Sequence, residues 1–361
     1  MKTSKLLIFG ITAGFLILGV AACSEQMYRM DTQINDNGSG IRTIYVDGDS
    51  AFLAGDTLHN PFFFSYSSDW RLKTVDTLKA MFDKKIIYNV GISKPFRSVT
   101  EGSGGLLLPE GLRLFIAPKE RLKKHFRWFY TYYSFEVVYP CLSAPVSIDN
   151  YMSKDEQKCW FQGDFSIYRG NSGYECKDEM DDLEAKFYEW WLRNKYEVSF
   201  NTIRHFAEQI SDNPPFSGLE NVKDTVFSLN KSDLKKVFDL NNDVQPEDVC
   251  KMLDTYFQTT VFSSFFSKNK DDINNYFNKC MQKWDAPNKV LLEYHLTFPG
   301  KVFQTNAGWN RGDTLIWKID PIRLYASENY RLTAESRKTN IWAFIVTFLV
   351  GLSTFVFFRK K

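Results

Sequence analysis

The apolar positions form two uninterrupted runs at the chain ends, with two periodicities between them. Leu6 to Val20 is a 15-residue apolar run behind Lys2 and Lys5. It is too short to span a bilayer and fits the hydrophobic region of a signal peptide. Ile341 to Phe358 is 18 residues without a charge. As a helix it covers about 27 Å, close to the thickness of a bilayer's hydrocarbon core. Trp342 falls near one membrane interface, and Arg359, Lys360 and Lys361 close the chain as cytoplasmic positive charges do.

Between these runs the period changes twice. Met27–Ile34 and Ile41–Val46 flank the turn formers Asp36-Asn37-Gly38-Ser39-Gly40 and predict a hairpin. Residues 47–117 read as irregular, with Glu101-Gly102-Ser103-Gly104-Gly105 a flexible loop. A short helix is expected over Pro118–His125. The aromatic and β-branched stretch 126–139 predicts a long strand. A helical region follows at 150–286. It opens on a Ser153–Glu156 capping box and carries stripes through Leu183, Phe187 and Trp190, then Tyr196, Phe200 and Ile203. Pro246 suits the first turn of another helix. Alternation returns at 289–324, through Tyr294 and Leu296 and again through Leu315 and Trp317. The fold class is therefore α+β. An antiparallel sheet of N- and C-terminal strands carries a large helical insertion, and a C-terminal transmembrane helix follows. Pairing of the terminal strands is expected to bring both ends of the body to one edge.

The first run ends in Val20-Ala21-Ala22-Cys23, which resembles a bacterial lipobox, so Cys23 is the expected lipidation site and first mature residue. The organisation expected is a signal peptide at 1–22, an exported α+β domain at 23–339, a transmembrane helix at 340–358 and a cytoplasmic tail at 359–361. This places the protein at the inner membrane, lipid-anchored and single-pass, with its bulk facing the periplasm; helical spans are the rule in that membrane. The whole chain has 45 basic and 43 acidic residues, and a net charge of +2 offers nothing to a nucleic acid. The exported part alone is near −3, which gives it no general attraction for anionic headgroups.

Two stretches carry a family resemblance. Pro299-Gly300-Lys301-Val302, then Asn306, then the strand Thr314-Leu315-Ile316-Trp317 shortly before the terminal helix, resemble the closing segment of LppM-type lipoproteins. Asn35 to Gly40 resembles that family's first hairpin turn. The match covers about 60 residues plus the anchors, and the long helical middle departs from the family's compact domain. The whole chain is also similar to envelope lipoproteins of anaerobic Gram-negative bacteria. The resemblance implies a lipid-interacting envelope protein without enzymatic activity.

Chemistry for catalysis is sparse. His59, His125, His205 and His295 are far apart in sequence, and neither Cys-x-x-Cys nor His-Glu-x-x-His occurs. Asp239, Asn241 and Asp243 begin a calcium-loop spacing, but Val244 and Cys250 stand where glycine and glutamate belong. No catalytic residue, cofactor or metal ligand is assigned. Cys141, Cys159, Cys176, Cys250 and Cys280 remain after acylation. Cys159–Cys176 and Cys250–Cys280 are conceivable disulfides, and buried free thiols are the alternative. The functional expectation is a non-enzymatic membrane-anchored lipoprotein that binds membrane lipid or an envelope membrane protein. Its alternatives are a scaffold or assembly factor of an envelope complex and, third, an envelope hydrolase. An internal lipid ligand requires an apolar cavity opening toward the anchored edge. A scaffold requires an exposed aromatic patch away from it.

Overall fold

The computed structural model describes residues 26–56, 60–82, 86–168, 176–210, 216, 218–237, 243–285 and 290–360. The expected signal peptide and Cys23 lie outside the described residues. The chain divides into two compact units, one of Met1–Tyr139, Asn288–Pro321 and Arg331–Lys361, the other of Pro140–Pro287 and Ile322–Tyr330.

The strands are, in chain order, β1 (Gln26–Ile34), β2 (Gly40–Val46), β3 (Ser65–Tyr66), β4 (Arg71–Lys79), β5 (Ile87–Phe96), β6 (Leu106–Leu107), β7 (Lys119–Phe126), β8 (Tyr130–Tyr139), β9 (Val290–Thr297), β10 (Lys301–Thr305), β11 (Trp309–Arg311), β12 (Thr314–Ile319) and β13 (Tyr330–Thr339). A larger sheet has the order β11-β12-β9-β1-β2-β5-β4, a smaller one β10-β13-β8-β7, and β3 pairs with β6. The expected α+β class with a helical insertion is present. The sheet differs from the all-antiparallel one expected. β1 runs parallel to β9, from Gln26↔Val290 to Gln33↔Thr297, while its other neighbour β2 is antiparallel. The long insertion makes this possible, because a parallel pairing needs a long crossover.

That parallel register overturns the expectation that both ends of the body meet at one edge. The turn after β1 is held by Lys124, whose Nζ donates to the Asp36 carbonyl at 2.8 Å, and by an ion pair from Lys338 to Asp36. Lys338 stands three residues before the C-terminal helix. Gln26 begins the same strand eight residues earlier than Ile34, about 26 Å away at ~3.3 Å per residue. The first described residue therefore lies at the opposite end of the sheet from that helix.

The helix expected over 118–125 is strand β7. Its Lys-Glu-Arg-Leu-Lys-Lys sequence favours a helix locally, but the ladder with β8 from Lys119↔Val138 to Phe126↔Thr131 overrides that preference. β4 and β5 also formed where the sequence read as irregular. Their apolar residues are too few on β4 to show a period, since Arg71, Leu72, Lys73 and Thr74 are all exposed.

Between the two sheets sits a charged network. The Arg42 guanidinium on β2 donates to both carboxylate oxygens of Glu120 on β7, at 2.6 and 2.8 Å. Tyr294 on β9 donates to the same carboxylate at 2.8 Å. Arg42 also donates to Thr32 at 3.2 Å and to Ser103 at 2.9 Å. Ser103 in turn donates to the Ile116 carbonyl at 2.7 Å. Burial pushes the Tyr294 phenol far above its usual range. The stretch read as a flexible loop is tied down here. A Cβ on Gly102 would lie 2.8 Å from the Arg42 guanidinium, so only glycine lets the loop close over it. The Gly104 carbonyl accepts from Trp70 at 3.0 Å and Lys94 at 2.9 Å.

The second unit is helical. Short helices α1 (Ser50–Leu53) and α2 (Glu110–Ile116) belong to the first unit. The second holds α3 (Lys154–Gln157), α4 (Lys177–Ile210), α5 (Leu219–Val237), α6 (Pro246–Phe257), α7 (Val261–Lys268) and α8 (Lys270–Asp285). The Ser153–Glu156 capping box is formed, and Pro246 opens α6. The two stripes read from sequence are one 34-residue helix, α4. One side packs Leu183, Phe187 and Trp190 into a first core with Met281 and Tyr325. The other end packs Tyr196, Phe200 and Ile203 into a second with Val249, Leu253 and Phe262.

Removing one partner of a buried ion pair strands the other. Glu120→Ala is expected to cost about 3–5 kcal/mol in urea unfolding. Ser103→Ala, which removes one neutral partner, is expected to cost about 1 kcal/mol.

Candidate membrane-interface site

The site is built where β13 ends and the C-terminal helix α9 (Ile341–Arg359) begins. Asn340 joins them and is nearly buried, at 9% exposure. Its backbone N–H donates to the Phe129 carbonyl at 2.9 Å, and its own carbonyl accepts from Ala343 at 2.9 Å. Its side-chain nitrogen donates to the carbonyls of Arg127 at 2.9 Å and Trp128 at 3.2 Å. Its side-chain oxygen accepts from the Thr131 hydroxyl at 3.0 Å. An asparagine before a helix ordinarily caps it. Here the side chain is spent on the β7–β8 turn, and so it binds helix to sheet.

Aromatic rings surround this junction. Trp342 stacks on Phe126, with ring centroids 6.2 Å apart, and meets Trp128 edge-on at 5.1 Å. Phe344 packs on Phe129 at 4.6 Å and on Tyr130 at 6.2 Å. The Trp128 indole donates to Thr347 at 2.8 Å. Thr347 lies six residues past Ile341, so the turn reaches about 9 Å along the helix. Phe126 and Trp128 stay 54% and 46% exposed. Exposed aromatic rings beside an apolar helix suit the headgroup level of a bilayer.

Among the described residues α9 is the one helix long and apolar enough to cross a membrane, with a mean hydropathy of 2.3 and 6% of its apolar window buried. Along it only Ala343 is buried. A helix apolar all round and packed on so little protein has no core to enter.

Other candidates fall elsewhere. His295 on β9 has both ring nitrogens facing carboxylates, Glu293 at 3.4 Å and Asp31 at 3.9 Å. Asp31 is held by Arg29 at 2.7 Å. Glu293 is fully buried, and its Oε1 accepts from the Met81 and Phe82 backbone at 2.6 and 3.1 Å. Its carboxylate therefore pins a loop onto the larger sheet. His125 is exposed on β7, His205 stacks on Tyr276 at 4.4 Å, and His59 lies outside the described residues. No group of metal-ligating side chains gathers among the described residues. Asp239 and Asn241 are not described, and Asp243 pairs with Lys195 at 2.8 Å. Cys141, Cys159, Cys176, Cys250 and Cys280 are free thiols, so neither conceivable disulfide is formed. Burial pushes the Cys159 and Cys250 thiols up, away from reactivity.

Two cavities stand out, and neither is an apolar tunnel toward the helix. One of about 410 Å³ lies in the helical unit against Pro145, Val198, Asn201, Tyr276 and Cys280. The other, about 270 Å³, opens on the smaller sheet and is lined largely by polar and charged side chains. Sequence reading placed the apolar C-terminal helix but missed the Asn340 clamp. Its only signal was one polar residue at the head of an apolar run.

No protein-family model and no curated protein matches the chain. Among solved structures it is similar to the NMR structure of the folded domain of Mycobacterium tuberculosis LppM. The match has 9% identity, covers 88% of this chain and 92% of that one, and has a TM-score of 0.24. So loose an overlap assigns neither a shared site nor a shared role.

Asn340→Ala removes three side-chain hydrogen bonds at once and is expected to cost about 1–3 kcal/mol. The same change should raise hydrogen exchange at residues 127–131. Asn340→Asp, which keeps the acceptor but not the donors, is expected to fail similarly.

Proposed function

We propose that this protein is a non-enzymatic lipoprotein of the bacterial envelope. It is acylated at Cys23, held in the inner membrane by α9, and exposes its body to the periplasm. There it binds membrane lipid or a membrane-protein partner at the bilayer surface. The observation that carries this reading is the junction at Asn340, which makes an exposed apolar helix continuous with a folded sheet. The buried Arg42–Glu120 pair between the sheets supports recognition at the surface over an internal lipid ligand.

One observation favours a scaffold as the second reading. Phe63 is 66% exposed and held at φ 54°, a left-handed conformation costly for a bulky residue. Leu107, opposite Ser65 in the β3–β6 pair, is 74% exposed. Phe62 beside it accepts from the Tyr28 hydroxyl near the start of β1, at the end of the sheet away from the helix. A strained ring displayed there fits a docking point for another protein.

Radiolabelled palmitate is expected to enter the wild-type chain but not Cys23→Ser, and alkaline carbonate to leave the wild type in the membrane. No incorporation, or release by carbonate, overturns the anchored reading. For the scaffold reading, Phe63→Ser is expected not to destabilise the fold in urea unfolding, since it removes an exposed bulky ring from a left-handed backbone position. It should also abolish co-purification of a membrane partner.

A further inference from the structure

We infer that the outward face of the smaller sheet is a docking surface for anionic phospholipid headgroups of the bilayer that holds α9. The inference rests on the anchored reading above and goes beyond it by assigning the face and the lipid class.

The first support is charge. Strand alternation puts Lys119, Arg121 and Lys123 on the outward side of β7, across from Val138, Glu136 and Ser134. Lys301 and Arg337 face each other on β10 and β13. Lys119, Lys123, Lys301 and Arg337 are exposed and form no ion pair with another described residue. The carboxylates on this face are Glu136, already held by Arg331, and Glu335. An exported body that is slightly acidic overall therefore concentrates positive charge on one sheet face. Net charge alone hid this asymmetry.

The second support is continuity with the helix. Tyr130 stands on the same face, and Phe344 of α9 packs against it. The start of the helix thus adjoins the end of this face. The Arg337 guanidinium lies 5.5 Å over the Tyr130 ring, and the Arg127 guanidinium 5.7 Å over Tyr132. Phe303 packs edge-on against Tyr132 and remains 52% exposed. Cations interleaved with exposed rings match an interface that is charged outside and apolar beneath. The cavity of about 270 Å³ opens here, lined by Arg121, Lys123, Ser134 and Thr333 together with Glu136 and Glu335. Its cations and hydroxyls are donors suited to a phosphodiester.

The third support is reach. Cys23 precedes Gln26 by three residues, at most about 10 Å of extended chain. Gln26 lies about 26 Å along β1 from the helix end of the sheet. Acyl chains at Cys23 and α9 enter one bilayer when β1 lies close to its plane. A body lying down must rest on a face, and the basic face adjoins the helix.

The test uses the full chain in nanodiscs of phosphatidylcholine, with or without phosphatidylglycerol. Lysines are acylated with an amine-reactive ester and read by mass spectrometry. Lys119, Lys123 and Lys301 are expected to be protected only where phosphatidylglycerol is present. Protection should vanish in ~0.5 M salt, where the Debye length falls to a few ångströms. Lys73, exposed on β4 of the larger sheet, serves as the control. Arg121→Gln and Arg337→Gln are surface changes, and each is expected to weaken protection roughly five-fold. Equal labelling in both discs overturns the proposal, as does protection that persists in salt or falls on Lys73. A chain that carbonate releases from native membranes fails the anchored reading. A chain that carbonate leaves in place but labels equally fails this proposal alone.

Discussion

One amide side chain sets how the apolar C-terminal helix joins the sheets of the first unit. Asn340 satisfies two turn carbonyls and one hydroxyl while its backbone begins a helix. A spanning helix attached by a loose tether would leave its body free to reorient. Here the last residue of the sheet region is locked to the β7–β8 turn, and rings from both sides close around the lock. The orientation of the first unit's sheets is therefore coupled to the direction of the apolar helix.

Among the buried apolar side chains between the two sheets sit a guanidinium, a carboxylate, a phenol and two hydroxyls, and each is hydrogen-bonded. Buried polar networks of this kind fix register more than they add stability. Arg42 joins the loop at 102–104, strand β2 and strand β7, so it specifies how the smaller sheet is laid on the larger.

Legibility followed the physics of each segment. The β1–β2 hairpin, the capped start of α3, the proline at α6 and the terminal helix were all readable, because each is encoded by neighbouring residues. β7 was misread because its helix-favouring lysines are overridden by a partner strand. β4 was invisible because it is an edge strand whose Leu72 is exposed and whose packed residues Val75 and Leu78 do not follow a period of two. The loop at Gly102 looked flexible because the reason for its glycine is an arginine 60 positions away. Asn340 could be located but not interpreted, since three of its partners lie more than 200 residues upstream. The basic face was concealed by a near-zero total, for charge counts carry no direction.

The parallel seam between β1 and β9 has a kinetic consequence. Gln26 meets Val290, so the strand made first waits for one made some 260 residues later. For a chain made from its N-terminus, β1 and its hairpin mate emerge with one ladder edge open. They stay so while the whole helical unit follows. Topology of this high contact order folds slowly, and an unsatisfied strand edge invites wrong pairings in the interval. Closure of the larger sheet comes among the last events of maturation. A chaperone that shields strand edges in this interval would therefore raise the yield of native protein.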